Sequence, residues 1–587
     1  MKNHAITKKR NLFNKFFFFL PMIFIIGFSF KYIQNNCFPK VLGDEFGYWA
    51  AAAYFRGWDW SELNSLNAYY GYGYGLILSL ILRLPVSQMD CYRIAILLNG
   101  VLMCWIYFTA YKIVDVLLLC KNSTEQQKNM ILKCSLALLC SISPLMIDYI
   151  QFTLSEVFLC FLYWNIIRLD LSLINNYSYR RLIILMLLTA FIIAVHLRAV
   201  GVVLPQLLFL ICLIRKKENT TIKRILYLSF FVTLIISVFL IMKYYQETIQ
   251  LASYSYAIEA DGLNQNSSTM LGQLGKIKLI FSVSGIFSLF KLFVGRLFDS
   301  LMSGIFFPGI ALLAVIKSLS DIVKRKMYTL EIVNLMTVSS LLFMIAISSV
   351  FWIGQENARF DVLTYQRYHG FAIGPVMLTG ACSFILTDEK FIKKRCFSVL
   401  ILGLLSFLLV NRWQDFETTM SNLFSNAPYL FYFHRAGQDV YINVVYCLFP
   451  VCVFLLLTYA RKTHIMSFIL ILVATANFYI SGIVYEMGCE EWAIDIFNDL
   501  KKVEQHIIDE NIYALFYMQD DSTPRWTQSL QFLLGDRTIR VIGEDHILGK
   551  GIYIITNTGY KSDDLIFEPR NITYETDTLT LWKIPDG

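Results

Sequence analysis

The chain has 587 residues, of which 56% are hydrophobic, 16% aromatic and only 16% charged, where a soluble globular protein carries about 25% charged residues. With 30 Gly and 12 Pro it has neither a collagen repeat nor the polarity of a disordered chain, and a polytopic membrane protein remains. The formal net charge of +8 sits in short Lys/Arg runs between apolar stretches, as membrane topology requires, so no nucleic-acid function is read from it.

The N-terminus joins a basic run, Lys2 to Arg10, to an apolar one, Phe16 to Phe30. No small-residue cleavage site follows, which predicts an uncleaved first span with its basic end inside. Further spans are predicted around 92–117, 131–147, 150–167, 181–196, 199–214, 224–242, 300–316, 331–353, 367–386, 396–410, 441–460 and 465–485, about thirteen in all. The apolar segment Tyr72 to Leu84 is too short to cross at about thirteen residues. If it crossed, the basic loops Arg215 to Arg224, Lys317 to Lys326 and Lys390 to Arg395 would face outward. If it lies along the outer surface, all three face inward with Lys121 to Lys133, Arg168 to Arg181 and Arg461 to Lys462. The positive-inside rule selects the second arrangement and puts 34–91, 243–299, 354–366, 411–440 and the tail from about Tyr485 outside. Ten of the 13 Cys belong to apolar stretches, where they act as small hydrophobes. Cys37, Cys91 and Cys489 fall outside them, and a Cys37–Cys91 pairing stays open.

The first outer loop carries the acidic pair Asp44-Glu45 at the start of an expected amphipathic helix, then Trp58, Trp60 and the tract Tyr69-Tyr70-Gly71-Tyr72-Gly73-Tyr74. Interfacial helices are expected over about 44–84. Aromatics at this density belong at a membrane interface or against a sugar ring. The carboxylates are either a solvated pair at a positive helix end or, for one of them, a general base for an incoming hydroxyl. Glu156 lies about one turn into a span, where an ionisable residue is by default functional. Arg198 and Arg367, and more weakly Arg359 and Arg296, are cations on the face where topology asks for none, so a phosphate partner accounts for them. His196 and His369 would bind that phosphate or make a single interfacial hydrogen bond. The outer stretch Asp261 to Ser268 is polar and turn-rich, and reads as a lid or a plain loop.

These residues resemble the GT-C superfamily of membrane glycosyltransferases, in particular the protein O-mannosyltransferase and lipid A aminoarabinose transferase type. The acidic pair in the first outer loop, Ser143-Pro144-Leu145 with Ser155-Glu156, His196-Leu197-Arg198-Ala199-Val200-Gly201, and Arg367-Tyr368 with Pro375 resemble that group's motifs over roughly residues 15–390. No Asp-x-Asp triplet occurs in the first loop and no Trp-Trp-Asp signature is present, unlike in oligosaccharyltransferases. The resemblance implies an α-helical polytopic fold and transfer of one sugar from a polyprenyl-phosphate donor to a glycan, lipid or protein hydroxyl, with inversion. Asp44 would be the base and Arg198 and Arg367 would hold the lipid phosphate. Glu45 and Glu156, with Tyr368, His196 and His369 nearby, would bind donor or sugar. A divalent cation, if used, would sit on Asp44, Glu45 and Glu156. The implied setting is a bacterial cell membrane, with the site and C-terminus extracytoplasmic.

Two alternatives belong to other classes. A flippase or transporter of lipid-linked sugars predicts midplane charges and internal repeats, whereas here the polar residues gather toward one face. A glycan polymerase predicts a large outer loop rich in Arg and His, unlike 243–299.

The chain divides into a transmembrane domain, 1–485, and a small extracytoplasmic α/β domain, 486–587. In the second, helices are expected at Glu491 to Glu510 and Pro524 to Leu534, and strands at 512–518, 538–542, 552–556 and 579–584. It has no phosphate loop, metal-spaced Cys/His cluster or nucleophile elbow, so it reads as a support or acceptor-recognition domain.

Overall fold

A computed structural model describes residues 2–34, 42–64, 71–119, 129–143, 145–218, 220–249, 277–323, 329–354, 362–413, 439–461, 464–488, 491–507, 512–515, 523–542, 551–557, 571–577 and 579–584. Arg359, the stretch Asp261 to Ser268, Cys37 and Cys489 lie outside the described residues. Cys91 is a buried free thiol.

The chain is a helical membrane protein. In order come α1 (Lys2–Gln34), α2 (Leu42–Arg56), α3 (Ser61–Asn64), α4 (Gly73–Leu82), α5 (Gln88–Leu119), α6 (Met130–Ile142), α7 (Glu156–Asn175), α8 (Tyr179–Val195), α9 (Val200–Lys217) and α10 (Thr221–Ile249). Then follow α11 (Val283–Ser303), α12 (Phe307–Val323), α13 (Thr329–Phe351), α14 (Gly370–Leu386), α15 (Glu389–Trp413), α16 (Asp439–Ala460) and α17 (Ile465–Gly488). Among the described residues eight helices are long and apolar enough to cross a bilayer, and the bent pair α11–α12 makes a ninth. The α6 and α14 helices are apolar but shorter. Only 11% of the most apolar window of α10 is buried within the protein, so its surface is left to lipid.

Each predicted span falls on a helix, with two informative displacements. The spans expected at 131–147 and 150–167 are separated further than the sequence suggests, because α6 stops at Ile142 and α7 starts at Glu156. The connection holds the 3-10 turn Asp148–Gln151 and buries Leu145, Ile147, Ile150, Phe152 and Leu154. Its apolarity serves packing rather than a bilayer, which is why it mimics span ends. The second displacement is α11, which occupies 283–303 where an outer loop was expected up to 299. It meets α12 at 111°, through left-handed backbone at Ile305 (φ 51°) and Phe306 (φ 60°), a conformation rare for a β-branched residue.

The Gly/Tyr tract before α4 has a steric reason. Gly71 has φ +109°, and a Cβ there would sit 2.5 Å from the Ala194 carbonyl oxygen. Only glycine allows the segment to lie on the C-terminal end of α8, directly before His196 and Arg198. Gly201 likewise lets α9 approach α13, since its Cβ would meet Met344 at 2.6 Å. The α4 helix packs along α2.

The C-terminal region is a small α/β unit. It holds α18 (Glu491–His506), α19 (Thr523–Leu534) and five strands: β1 (Ile512–Leu515), β2 (Ile539–Ile542), β3 (Tyr553–Asn557), β4 (Asn571–Glu575) and β5 (Leu579–Lys583). The sheet order is β2-β1-β3-β5-β4. The β1 strand pairs parallel with β2 and β3, while β5 pairs antiparallel with β3 and β4. Return to a parallel neighbour needs a crossover, and α19 supplies it between β1 and β2. The β4 strand was not expected from sequence.

Candidate functional site

Four chain segments meet where α2 begins: α2 itself, the 143–155 connection with the start of α7, the turn Leu197–Ala199 before α9, and the stretch 362–369 before α14. Asp44 stands in the first turn of α2, where a carboxylate faces the positive helix end. It is the half-open member of the cluster, 23% exposed, and forms an ion pair with Arg367 Nη1. Arg367 also donates from Nε to Glu156 Oε1 at 3.0 Å. The same oxygen accepts from Arg198 Nη2 at 2.8 Å. Arg198 Nη1 donates to the Arg367 carbonyl at 3.1 Å, and its guanidinium lies 5.5 Å above the Tyr368 ring centre. Two carboxylates and two guanidiniums thus form one chain, Asp44–Arg367–Glu156–Arg198. It balances in charge, as a buried set must.

The cluster is closed below and open above. Glu156 and Arg198 are each 1% exposed, and Glu156 Oε2 and Arg198 Nε have no hydrogen-bond partner among the described residues. Burial opposes charge on Arg367, yet Asp44 and Glu156 hold its guanidinium above its usual pKa. Burial, then neighbouring Tyr365, pushes the Tyr368 phenol up to about 12, against the pull of Arg367 and Arg198.

The sequence expectations divide here. Asp44, Glu156, Arg198, Arg367 and Tyr368, although up to 324 positions apart in the chain, come together. Glu45 does not join them. Fully buried, its Oε1 accepts from Tyr92 OH at 2.7 Å, from Thr153 N at 2.7 Å and from Thr153 Oγ1 at 2.9 Å. With Trp49 Nε1 donating to Thr153 Oγ1 and Tyr48 OH bonded to Ser155 Oγ at 2.7 Å, it ties α2 to the 143–155 connection. Asp44 and Glu45 are consecutive, so a helix necessarily points them about 100° apart.

The two histidines are also placed apart in role. His196 Nδ1 accepts from Arg198 N at 3.3 Å, capping the turn Leu197–Ala199. Burial, then Arg198 and Arg367, keeps its imidazole well below its usual pKa, so it offers a phosphate no cation near neutral pH. His369 is fully buried and its Nε2 lies 3.6 Å from Asp299 Oδ2, too long for a hydrogen bond. Burial lowers its pKa although Asp299 raises it.

The carboxylates do not fit a shared divalent cation. Arg367 fills the space between Asp44 and Glu156, and Glu45 is spent elsewhere. No group of three or more His, Cys, Asp or Glu suited to a metal occurs among the described residues.

A second polar layer lies behind Tyr368, of which sequence reasoning named Arg296 but missed Gln366, Asp299 and Ser303. Gln366 Nε2 donates to Asp299 Oδ2 at 2.7 Å and to Ser303 Oγ at 2.8 Å. Arg296, fully buried, donates from Nη1 to Ser349 Oγ at 3.3 Å, and its Nε and Nη2 have no hydrogen-bond partner among the described residues. The available signal was Arg296 and Asp299, two ionisable residues three apart in an apolar stretch.

No protein-family model and no curated protein sequence matches the chain. Solved structures are similar to it, among them two of ArnT. ArnT from Cupriavidus metallidurans in the apo state is 12% identical, with a TM-score of 0.51 over 96% of this chain and 97% of that one. ArnT from the same organism bound to undecaprenyl phosphate is 10% identical, with a TM-score of 0.49 over the same shares. With its apolar helices, the α2–α4 pair beside them and the small C-terminal sheet, the chain has the fold seen in apo ArnT.

Proposed function

We propose that the chain transfers a single sugar from a polyprenyl-phosphate donor to an acceptor hydroxyl, at the membrane face opposite its basic loops and with inversion at the anomeric carbon. The observation that carries this reading is the Asp44–Arg367–Glu156–Arg198 chain, in which one carboxylate stays accessible while two guanidiniums are held at fixed positions beside it. Asp44 acts as general base: it takes the acceptor proton as the hydroxyl oxygen attacks the anomeric carbon, and the bond to the lipid phosphate breaks on the opposite face. The departing phosphate gains negative charge, which nearby guanidiniums stabilise through paired hydrogen bonds.

The charge balance of the cluster gives this chemistry an order. While the site is empty, Arg367 is held on Asp44 and masks it. A phosphate competes for the same guanidinium, so donor binding frees the carboxylate that the acceptor needs. Arg296 supplies a further cation within the adjoining layer, with the N–H groups of Nε and Nη2 to offer. Glu156 orients Arg198 and Arg367 rather than touching sugar. The acceptor is a cell-envelope glycan, lipid or protein, and the setting is a bacterial cell membrane with the site outside.

The test is binding of a polyprenyl phosphate to the purified chain in detergent, compared among wild type, Arg367→Lys, Arg296→Ala and Arg198→Ala, each with a thermal melt. Weakened binding by Arg367→Lys with an intact melt is expected, because a point charge does not reproduce the paired contact. Wild-type binding in Arg367→Lys and Arg296→Ala would put the phosphate elsewhere.

A further inference from the structure

The C-terminal unit is in direct contact with the helix that carries Asp44. Phe532 of α19, 2% exposed, has its ring centre 5.1 Å from Trp49 and 6.3 Å from Tyr92. Both neighbours end in the hydrogen bonds that tie α2 down, Trp49 on Thr153 Oγ1 and Tyr92 on Glu45 Oε1. A second contact lies one helix further along. Arg540 Nη1 donates to Glu62 Oε1 at 2.9 Å, and Val541 N donates to Glu62 Oε2 at 2.8 Å. Trp60 Nε1 closes the seam by donating to the Gly535 carbonyl at 2.8 Å.

We infer that the C-terminal unit sets the position of α2, with Phe532 and Arg540 as its positioning residues, so that placement of the Asp44 carboxylate depends on docking of this unit. The inference rests on the reading of Asp44 as the reacting base. The physical argument is one of leverage. The α2 helix has 15 residues, most of them buried from Glu45 to Ala53, and is tied on one flank to the 143–155 connection. Its aromatic flank, Phe46, Trp49 and the following Trp60, has Phe532 as its cover. Phe46 and Trp60 stack at 5.5 Å, and Trp60 meets Phe532 at 6.4 Å. A ring removed from that layer leaves a void that α2 can tilt into, and a shift of about 1 Å in a reacting group costs up to about 100-fold in rate.

Hydrogen exchange of the full-length chain in detergent reads this directly. Phe532→Ala and Arg540→Ala are compared with Phe532→Leu, Arg540→Lys and wild type. Faster exchange of the amides at 43–56 is expected in both Ala variants, with α12 and α14 unchanged and protection largely restored in the Leu and Lys variants. In a transfer assay, kcat falls up to about 100-fold in Phe532→Ala and less in Arg540→Ala, while affinity for a polyprenyl phosphate stays at the wild-type value. Wild-type exchange at 43–56 in both Ala variants overturns the inference. So does a loss of protection spread evenly over the whole chain in Arg540→Ala, since the unit would then act on general stability. If the wild type transfers nothing while 43–56 still responds, the reading of function falls and the mechanical coupling stands.

Discussion

Two sets of Asp, Glu and Arg side chains are anchored on the segment between α1 and α4, and they differ in burial. In the Asp44–Arg367–Glu156–Arg198 chain, the central Glu156 and Arg198 are each 1% exposed. In the seam below, Arg540 is 43% and Asp59 52% exposed at a separation of 3.4 Å. The same residue types therefore do different work. Removing one partner of a buried pair leaves a charge stranded, at a cost of about 3–5 kcal/mol, whereas an exposed pair contributes about 0–1 kcal/mol. The first set holds buried charge at fixed positions beside a partly open carboxylate, and the second registers one unit on another.

The comparison is broken most severely at Arg198. Arg198→Ala leaves Glu156 buried with Arg367 as its remaining cation and should destabilise the chain by about 3–5 kcal/mol, seen as a large drop in melting temperature. A melt equal to wild type would mean that Arg367 alone compensates Glu156. Asp148 sharpens the contrast, because it is as buried as Glu156 and neither of its carboxyl oxygens has a hydrogen-bond partner among the described residues. Burial raises its carboxyl to about 7. Its folded pKa lies above the unfolded one, so its contribution is most favourable below about pH 4 and is lost as pH rises through about 7. Asp148→Asn should therefore raise the melting temperature at pH 8 and leave it nearly unchanged at pH 4. A gain at pH 4 alone would contradict this.

Smaller effects follow at the ties. Glu45→Gln weakens three hydrogen bonds to a carboxylate and should cost about 1–3 kcal/mol, with transfer reduced because α2 loosens. Unaltered stability and activity would return Glu45 to the surface. Arg540→Ala should cost about 0–1 kcal/mol, and the difference from wild type should vanish near 1 M salt, where screening acts within about 3 Å. A salt-independent loss would show that the seam is drier than its exposure indicates.

The membrane class, the helix positions and most of the cluster were legible in the sequence, because apolar length and the placement of Lys and Arg obey strong solvation rules. Arg198 and Arg367 stood out as cations with no topological reason, Glu156 as an ionisable residue inside a span, and Asp44 as half of an acidic pair in the first outer loop. The division of labour between Asp44 and Glu45 was not legible, since it depends on which side of α2 meets Thr153, a contact spanning 108 residues. The Gln366–Asp299 bond spans 67 residues and requires the break at Ile305 and Phe306, which no local propensity announces. Pairing of Arg367 with Asp44 was equally hidden. Their places on the outer face and the family resemblance named both as site candidates but not that they hold each other.

The central claim is that the accessible carboxylate of the cluster is the base. Its most direct test is transfer from a polyprenyl-phosphate sugar by purified wild type and Asp44→Asn, with lipid binding measured alongside. The account predicts a loss of about 10²–10⁴-fold in transfer, with polyprenyl-phosphate binding retained or strengthened because Arg367 is released. Full transfer by Asp44→Asn would contradict it.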